Sequence, residues 1–379
     1  MLIELYHNHL KKQLTTSQLF ILEFLIDILQ IKKDVRLERL ARIFPLPITW
    51  EGRRRKLQRF LEIPQLIIAQ ILWPLIINWL TDNKKLQKLY ITIDRTQWRD
   101  LNLLMISLVW KKRGIPLNWK FLPTLGNSTL AEQSEVLGPV FSLLKDYQIV
   151  VLGDREFCSL DLANWLRERK VGFSLRLKKN VCIEIEKDNW QRLDQLGVKP
   201  GVSAFYAGKR IRKSQPANGF EVAAKWRRKY RSKKSESPWF ILTNLGSLTE
   251  AIQAYKHRMG IEEMFRDFKK GGYNLEQTGL RGERLNGIVL VMSLAYFQGI
   301  IDGEKIEKKT IHKYVSRPKE TGKKSKRRST FGVGLDSKEW AENVEKYQEK
   351  VQELINLSPH KRRFYRQGFR ALTLIQSSF

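Results

Sequence analysis

The hydrophobic period of this chain changes near residue 88, and that change limits the possible folds more than any other feature. Before it the spacing is helical. SQLFILEFLIDILQI, residues 17–31, sets apolar side chains three and four apart with Glu23 and Asp27 on one flank, and Arg36 to Phe44 keeps that period until Pro45 and Pro47. After it, KLYITID (88–94) alternates as a strand does, LLMISLVWKK (103–112) reads as a second strand, and IPLNWKFLP (115–123) as a third after an Arg113-Gly114 turn. TLAEQSEVLGPVFSLL (129–144) returns to helix, YQIVVLGD (147–154) to a buried strand, SLDLANWLRERK (159–170) to helix and VGFSLRLKKN (171–180) to strand. A three-strand meander followed by helix, strand, helix and strand predicts a mixed α/β core.

The next stretch, to about Pro238, is short-period, basic and punctuated by Gly201, Gly208, Pro216 and Gly219, which predicts a β-rich insertion. WFILTNL (239–245) is again an apolar strand, Leu248 to Lys269 reads as one helix stopped by Gly271-Gly272, and Asn286 to Gly299 as an apolar helix. A basic linker to about Ser329 and a helical stretch from Lys338 to Leu357 follow. The expected organisation is a helical domain over 1–85, a core over 86–180 and 239–300, an insertion over 181–238, and a linker with a helical region over 301–379.

Charge narrows the partner. The chain has 379 residues with 69 Lys and Arg against 39 Asp and Glu, a formal net charge of +30. With 42% hydrophobic residues it builds a core and is no basic disordered tail, so the excess calls for a polyanion. Residues 209–234 interleave Trp226 and Tyr230 with Lys and Arg, and residues 305–328 end in GKKSKRRS; this pattern suits phosphates and stacked bases, and nucleic acid is the expected partner. The uncharged run Ile63–Thr81 contains Pro64, Pro74, Gln65, Gln70 and Asn78, and is expected as a buried helix pair; Leu285–Ile301, with Gly287, Ser293 and Gln298 inside it, is likewise expected to be buried. No membrane partner is expected. Two cysteines, Cys158 and Cys182, exclude a disulfide framework and fit a reducing cytoplasm. No glycine-rich phosphate loop ending in Gly-Lys-Ser/Thr occurs, and no Cys or His near His7 and His9 completes a metal set.

Two carboxylates sit where apolar strands run out: Asp94 after ITI and Asp154 after IVVLG. If the strands are neighbours, the carboxylates converge and repel unless a cation lies between them, which suits a divalent metal; a strand-end Asp is also a common turn former. In YKHRMGIEEMFRDFK (255–269), at 100° per residue, Tyr255, Arg258, Glu262 and Lys269 fall within about 60° of one face, beside an apolar face of Ile261, Met264, Phe265 and Phe268. Glu262 could join a metal site and Arg258 and Lys269 could hold phosphate oxygens. Arg258 and Glu262 also make an ordinary i,i+4 pair.

The spacing Tyr255-x2-Arg258-x3-Glu262-x6-Lys269 resembles the Y-R-E-K signature of bacterial insertion-sequence transposases of the DDE class, in the insertion-sequence-four family. IDRTQW around Asp94, IPLNWKFLPTLGNST from Ile115, GDREF around Asp154 and FRDFKKGGYNLEQTGL from Phe265 resemble that family's blocks in its order, over roughly residues 88–300. The resemblance implies a ribonuclease-H-like mixed-sheet core with a β-rich insertion, flanked by helical regions. It implies that Asp94, Asp154 and Glu262 are catalytic and hold two Mg2+ ions, with Mn2+ as a substitute. Tyr255, Arg258 and Lys269 would hold DNA phosphate, and Trp239 would be a base-stacking candidate, though a core strand tryptophan would satisfy the same pattern. The implied activity is cut-and-paste transposition acting on double-stranded DNA, at terminal inverted repeats and in target DNA. A homodimer in the synaptic complex and a bacterial, nucleoid-associated location would accompany it. A metal-dependent nuclease or resolvase on the same core, or a DNA-binding protein without catalysis, are the alternatives.

Overall fold

The computed structural model describes residues 2–83, 87–213, 217–228, 237–317 and 328–379, with the side chains of 2–6 and 218 excepted. Tyr230 and the run from Gly322 to Arg327 of the two basic segments lie outside them. The chain divides into two compact units, Trp79–Arg266 and a second built from Met1–Asn78 with Asp267–Phe379.

The front of the chain forms α1 (Leu2–Gln13), α2 (Thr16–Lys32), α3 (Leu37–Ile43), α4 (Trp50–Leu61) and α5 (Ile68–Asp82). Helix α2 starts in a capping box between Thr15 and Gln18, and its apolar residues Leu19, Leu22, Leu25, Ile26 and Leu29 are buried, as their spacing requires. The run from Ile63 to Thr81 is a turn followed by the single helix α5, not a helix pair, because Pro64 lies in the turn and only Pro74 is carried within the helix.

In the unit Trp79–Arg266 a ten-stranded mixed sheet forms. Its first half is β1 (Lys88–Trp98), β2 (Leu101–Trp110), β3 (Arg113–Leu122), α6 (Leu130–Leu143), β4 (Gln148–Gly153), α7 (Leu160–Glu168) and β5 (Gly172–Arg176). β1, β2 and β3 are an antiparallel meander, while β4 pairs parallel with both β1 and β5. The order β3-β2-β1-β4-β5 is that of a ribonuclease-H-like core. Its central strands read as apolar runs because both faces are covered: Ile91, Ile93, Val151 and Leu152 are fully buried. The segment expected as an insertion contributes β6 (Cys182–Glu186), β7 (Asn189–Arg192), β8 (Ser203–Ile211) and β9 (Ala217–Lys225), which continue the same sheet beyond β10 (Trp239–Thr243) in the order β10-β9-β8-β6-β7.

Two local details differ from expectation. The β2–β3 hairpin turns at Lys111-Lys112, with Lys111 at φ 54°, because Trp110 pairs directly with Arg113. Gly114 serves packing instead: a Cβ there would lie 2.5 Å from Ser107 Oγ and 3.2 Å from the Ile261 backbone. The single helix expected from Leu248 to Lys269 is two, α8 (Leu248–Lys256) and α9 (Met259–Phe268). His257, Arg258, Gly260 and Ile261 all donate three residues back at the join, so the chain tightens there, and a Cβ on Gly260 would meet the Arg113 backbone at 3.1 Å.

The remaining helices are α10 (Gly282–Lys308), α11 (Thr330–Lys346), α12 (Gln348–Asn356) and α13 (Arg362–Gln376). α10 is the one described helix long and apolar enough to cross a membrane, and 94% of its most apolar stretch is buried within the protein. Helices from both ends of the chain cover it, which is why it belongs to the helical unit. At Gly303 and Gly334 the backbones of α10 and α11 touch: a Cβ on Gly303 would fall 1.9 Å from the Thr330 carbonyl oxygen, and one on Gly334 2.1 Å from that of Gly299.

Candidate active site

The parallel ladder of β1 and β4 ends at the pair Ile93 and Gly153, so Asp94 and Asp154 are the next residue on each strand. β1 does not end there; it runs on to Trp98 paired with β2, and Asp94 marks where it leaves β4. Each carboxylate is oriented by backbone. The Arg95 N–H donates to Asp94 Oδ1 at 2.8 Å, and the Glu156 N–H donates to Asp154 Oδ1, also at 2.8 Å.

Burial pushes the Asp94 carboxyl up to about 6, opposed by the Arg95 N–H and the Arg258 guanidinium and reinforced by the negative charges of Asp154 and Glu156. Arg258, placed by the tight join between α8 and α9, supplies the compensating charge. Its Nη1 donates to Asp94 Oδ2 at 3.3 Å and its Nη2 donates to Glu262, one turn on along α9. The arginine is buried and Glu262 is 41% exposed, so the carboxylate lies at the open end of this bridge. The structure therefore brings Asp94 beside Asp154 and links Glu262 to Asp94 through a guanidinium. Among the described residues no three His, Cys, Asp or Glu side chains form a ready metal-ligating group.

Tyr255 is buried, its phenol is pushed up by burial, and its hydroxyl has no hydrogen-bond partner. Trp239 is half-buried, packs edge-on against Tyr255 at 5.1 Å between ring centroids, and carries the Arg227 guanidinium 5.0 Å above its own ring. Beside them Arg155 and Arg176 both point an Nη2 at Ser237 Oγ, at 3.4 and 3.5 Å. The buried Nε of Arg176 has no partner, and neither arginine faces a carboxylate among the described residues. These two cations were not singled out by sequence; Arg155 follows Asp154 directly, but Arg176 reaches the place only because β5 lies beside β4 and β10. Lys269 belongs to the helical unit, where its ammonium lies 2.7 Å from Glu276. Two other candidates are spoken for: the Cys158 thiol is pushed up by burial, and His257 stacks on Tyr90 with centroids 4.6 Å apart.

Residues 128–297 match the Transposase DDE domain family. That span takes in Asp154, Tyr255, Arg258, Glu262 and Lys269 and leaves out Asp94. The match supports a DDE-class transposase. A cryo-EM structure of a piggyBac transposase synaptic complex with hairpin DNA aligns with 87% of this chain and 72% of that one, at a TM-score of 0.43 and 11% identity. No curated protein matches the chain in sequence.

The donor set suits a hard divalent cation. Asp94 and Asp154 are adjacent hard oxygen donors, and Asp94 is raised because the positive charge around it falls short of its burial cost. The Arg258 guanidinium bridges Asp94 and Glu262.

Proposed function

We propose that this chain is a DNA transposase of the insertion-sequence-four type, which hydrolyses phosphodiesters at the ends of its element and joins the freed ends to target DNA. The observation that carries the reading is the placement of Asp94 and Asp154 side by side at the end of the β1–β4 ladder, with Arg258 and Glu262 presented to them from the helix join. The family match over 128–297 supports it.

In this reading Asp94, Asp154 and Glu262 hold Mg2+, or Mn2+ in its place. When bound, the metal activates a water and stabilises the leaving oxygen. Glu262, which now pairs with Arg258, would complete the set, and the Arg258 fork beside it would suit a phosphate oxygen. Arg155 and Arg176, which share the Ser237 hydroxyl as a hydrogen-bond acceptor, suit the next phosphate of the strand beside Tyr255, and Lys269 is added through its place in the motif. Water oxygen bonds to phosphorus as the bond to the 3′-oxygen breaks, and that oxygen takes a proton. The resulting 3′-hydroxyl then attacks a target phosphodiester, whose own 3′-oxygen leaves. Trp239 is the base-stacking candidate beside this strand. Two copies act together on paired ends, in the bacterial nucleoid.

The test uses DNA carrying the inverted repeats that flank the gene. Wild-type protein with Mg2+ should cut at the repeat ends and join pre-cut ends to a second duplex. Asp154→Asn and Glu262→Gln should lose both steps while retaining binding to the repeats. Cutting without joining would reassign the chain to the nucleases, and undiminished cutting by either variant would remove that residue from the site.

A further inference from the structure

The parallel ladder that aligns β1 with β4 stops one residue before the two aspartates, at Ile93 and Gly153. No β1–β4 backbone pairing beyond that point fixes the distance between the strands, yet a metal site tolerates errors of only about 0.2 Å in donor position. A side-chain bridge takes over there. Arg95 Nε donates to Glu156 Oε1 at 2.6 Å and Arg95 Nη2 to Glu156 Oε2 at 2.8 Å, a two-pronged pair between residues 61 positions apart in sequence. The Arg95 side chain is 12% exposed and that of Glu156 19%.

The bridge is built from the same residues whose backbone N–H groups aim the two carboxylates. Arg95 donates its N–H to Asp94 Oδ1, and Glu156 donates its N–H to Asp154 Oδ1, each at 2.8 Å. The Arg95–Glu156 pair therefore ties the two strand ends together through the same two residues that fix both Oδ1 atoms, while Asp94 Oδ2 accepts from Arg258 Nη1 at 3.3 Å. A further set of contacts keeps the arginine in place. Its Nη1 donates to Asn102 Oδ1 at 3.1 Å, and fully buried Asn102 donates its amide to the carbonyls of Thr124 at 2.7 Å and Gly126 at 3.2 Å. A partly buried ion pair adds little to stability once its desolvation is counted, so stability alone is a poor reason for this placement.

We propose that Arg95 and Glu156 are positioning residues that hold Asp94 and Asp154 at metal-binding separation. The proposal rests on the metal-dependent reading of the site given above. In the full-length protein, Glu156→Gln and Arg95→Lys should each weaken Mn2+ binding, followed by electron paramagnetic resonance, by about 10- to 100-fold. Each should raise the Mn2+ needed for half-maximal DNA cleavage by the same factor, while affinity for repeat DNA and the melting temperature stay near wild type. Because one pair is broken in either case, the double variant should lose no more than the worse single variant. Unchanged Mn2+ affinity in Glu156→Gln, or additive losses in the double variant, would overturn the proposal. Absence of Mn2+ binding by the wild type would instead overturn the metal-dependent reading on which it rests.

Discussion

Two aspartates, one in each compact unit, are pushed by burial to about 6, yet their surroundings differ in kind. Asp302 lies inside α10, where Gln298 Nε2 donates to both of its oxygens at 3.0 Å and the Lys305 ammonium stands 4.0 Å away. Its hydrogen-bond donor and its ion-pair partner are on its own helix, within four residues, and Lys338 of α11 adds further positive charge to a buried group. Asp94 has Arg258 from a different element, two further carboxylates, Asp154 and Glu156, adding to its charge, and an exposed Glu262 at the far end of the guanidinium. One aspartate is satisfied; the other stands where negative charge gathers without enough positive charge to match it. A raised carboxyl therefore does not mark a site by itself, and the charge it lacks is the better guide.

The sharpest separation is kinetic. Asp94→Asn should reduce metal-dependent cleavage of repeat DNA by about a thousandfold or more, whereas Asp302→Asn should leave it within about twofold, as single-turnover rates would show. Comparable losses in both variants would erase the distinction.

A smaller effect is expected with pH. Asp94 binds a cation only as its carboxylate, so the affinity of the free protein for Mn2+ should fall roughly tenfold per unit as pH drops below about 6, and level off above it. In Asp302→Asn the same profile should be kept. A profile flat down to pH 4.5 would show that Asp94 is not among the ligands.

The smallest effect is on stability. Both carboxyls are raised on folding, so between about pH 4 and 6 the folded chain keeps protons that the unfolded chain has released, and each group makes stability fall as pH rises through that window. Asp302→Asn should stabilise the protein at neutral pH by about 1 kcal/mol, read by denaturant unfolding without metal, because its amide oxygen still accepts from Gln298 and the desolvated charge is shed. Asp94→Asn should gain less, because its amide nitrogen cannot accept from Arg258. Added Mn2+ should cancel the advantage of Asp94→Asn alone, since it stabilises a protein that binds it.

Much of this arrangement is legible in the chain itself, for identifiable reasons. The strands β1 to β5 announce themselves by alternation or apolar runs, and Asp94 and Asp154 stand out because each interrupts such a run. The details that sequence missed all depend on distant partners. The break between α8 and α9 has no proline, and Gly260 is shaped by its approach to Arg113, nearly 150 residues earlier. The same approach explains why Gly114 lies just past the turn instead of in it. Arg155, Arg176 and Ser237 meet only because β5 and β10 are neighbours, and no spacing rule links Arg95 to Glu156. Helix periodicity placed Arg258 near Glu262, but the link to Asp94 comes from the fold. That α10 is a buried helix was legible, but an apolar helix does not state which neighbours will cover it.

The central claim is that Asp94, Asp154 and Glu262 hold a divalent cation next to DNA. It is tested most directly by titrating Mn2+ into the full-length protein bound to repeat DNA and counting bound ions by electron paramagnetic resonance. Wild-type protein should bind Mn2+ tightly, with binding abolished in Asp94→Asn and Asp154→Asn and weakened in Glu262→Gln. Mn2+ binding by Asp94→Asn with the stoichiometry and affinity of wild type would contradict it.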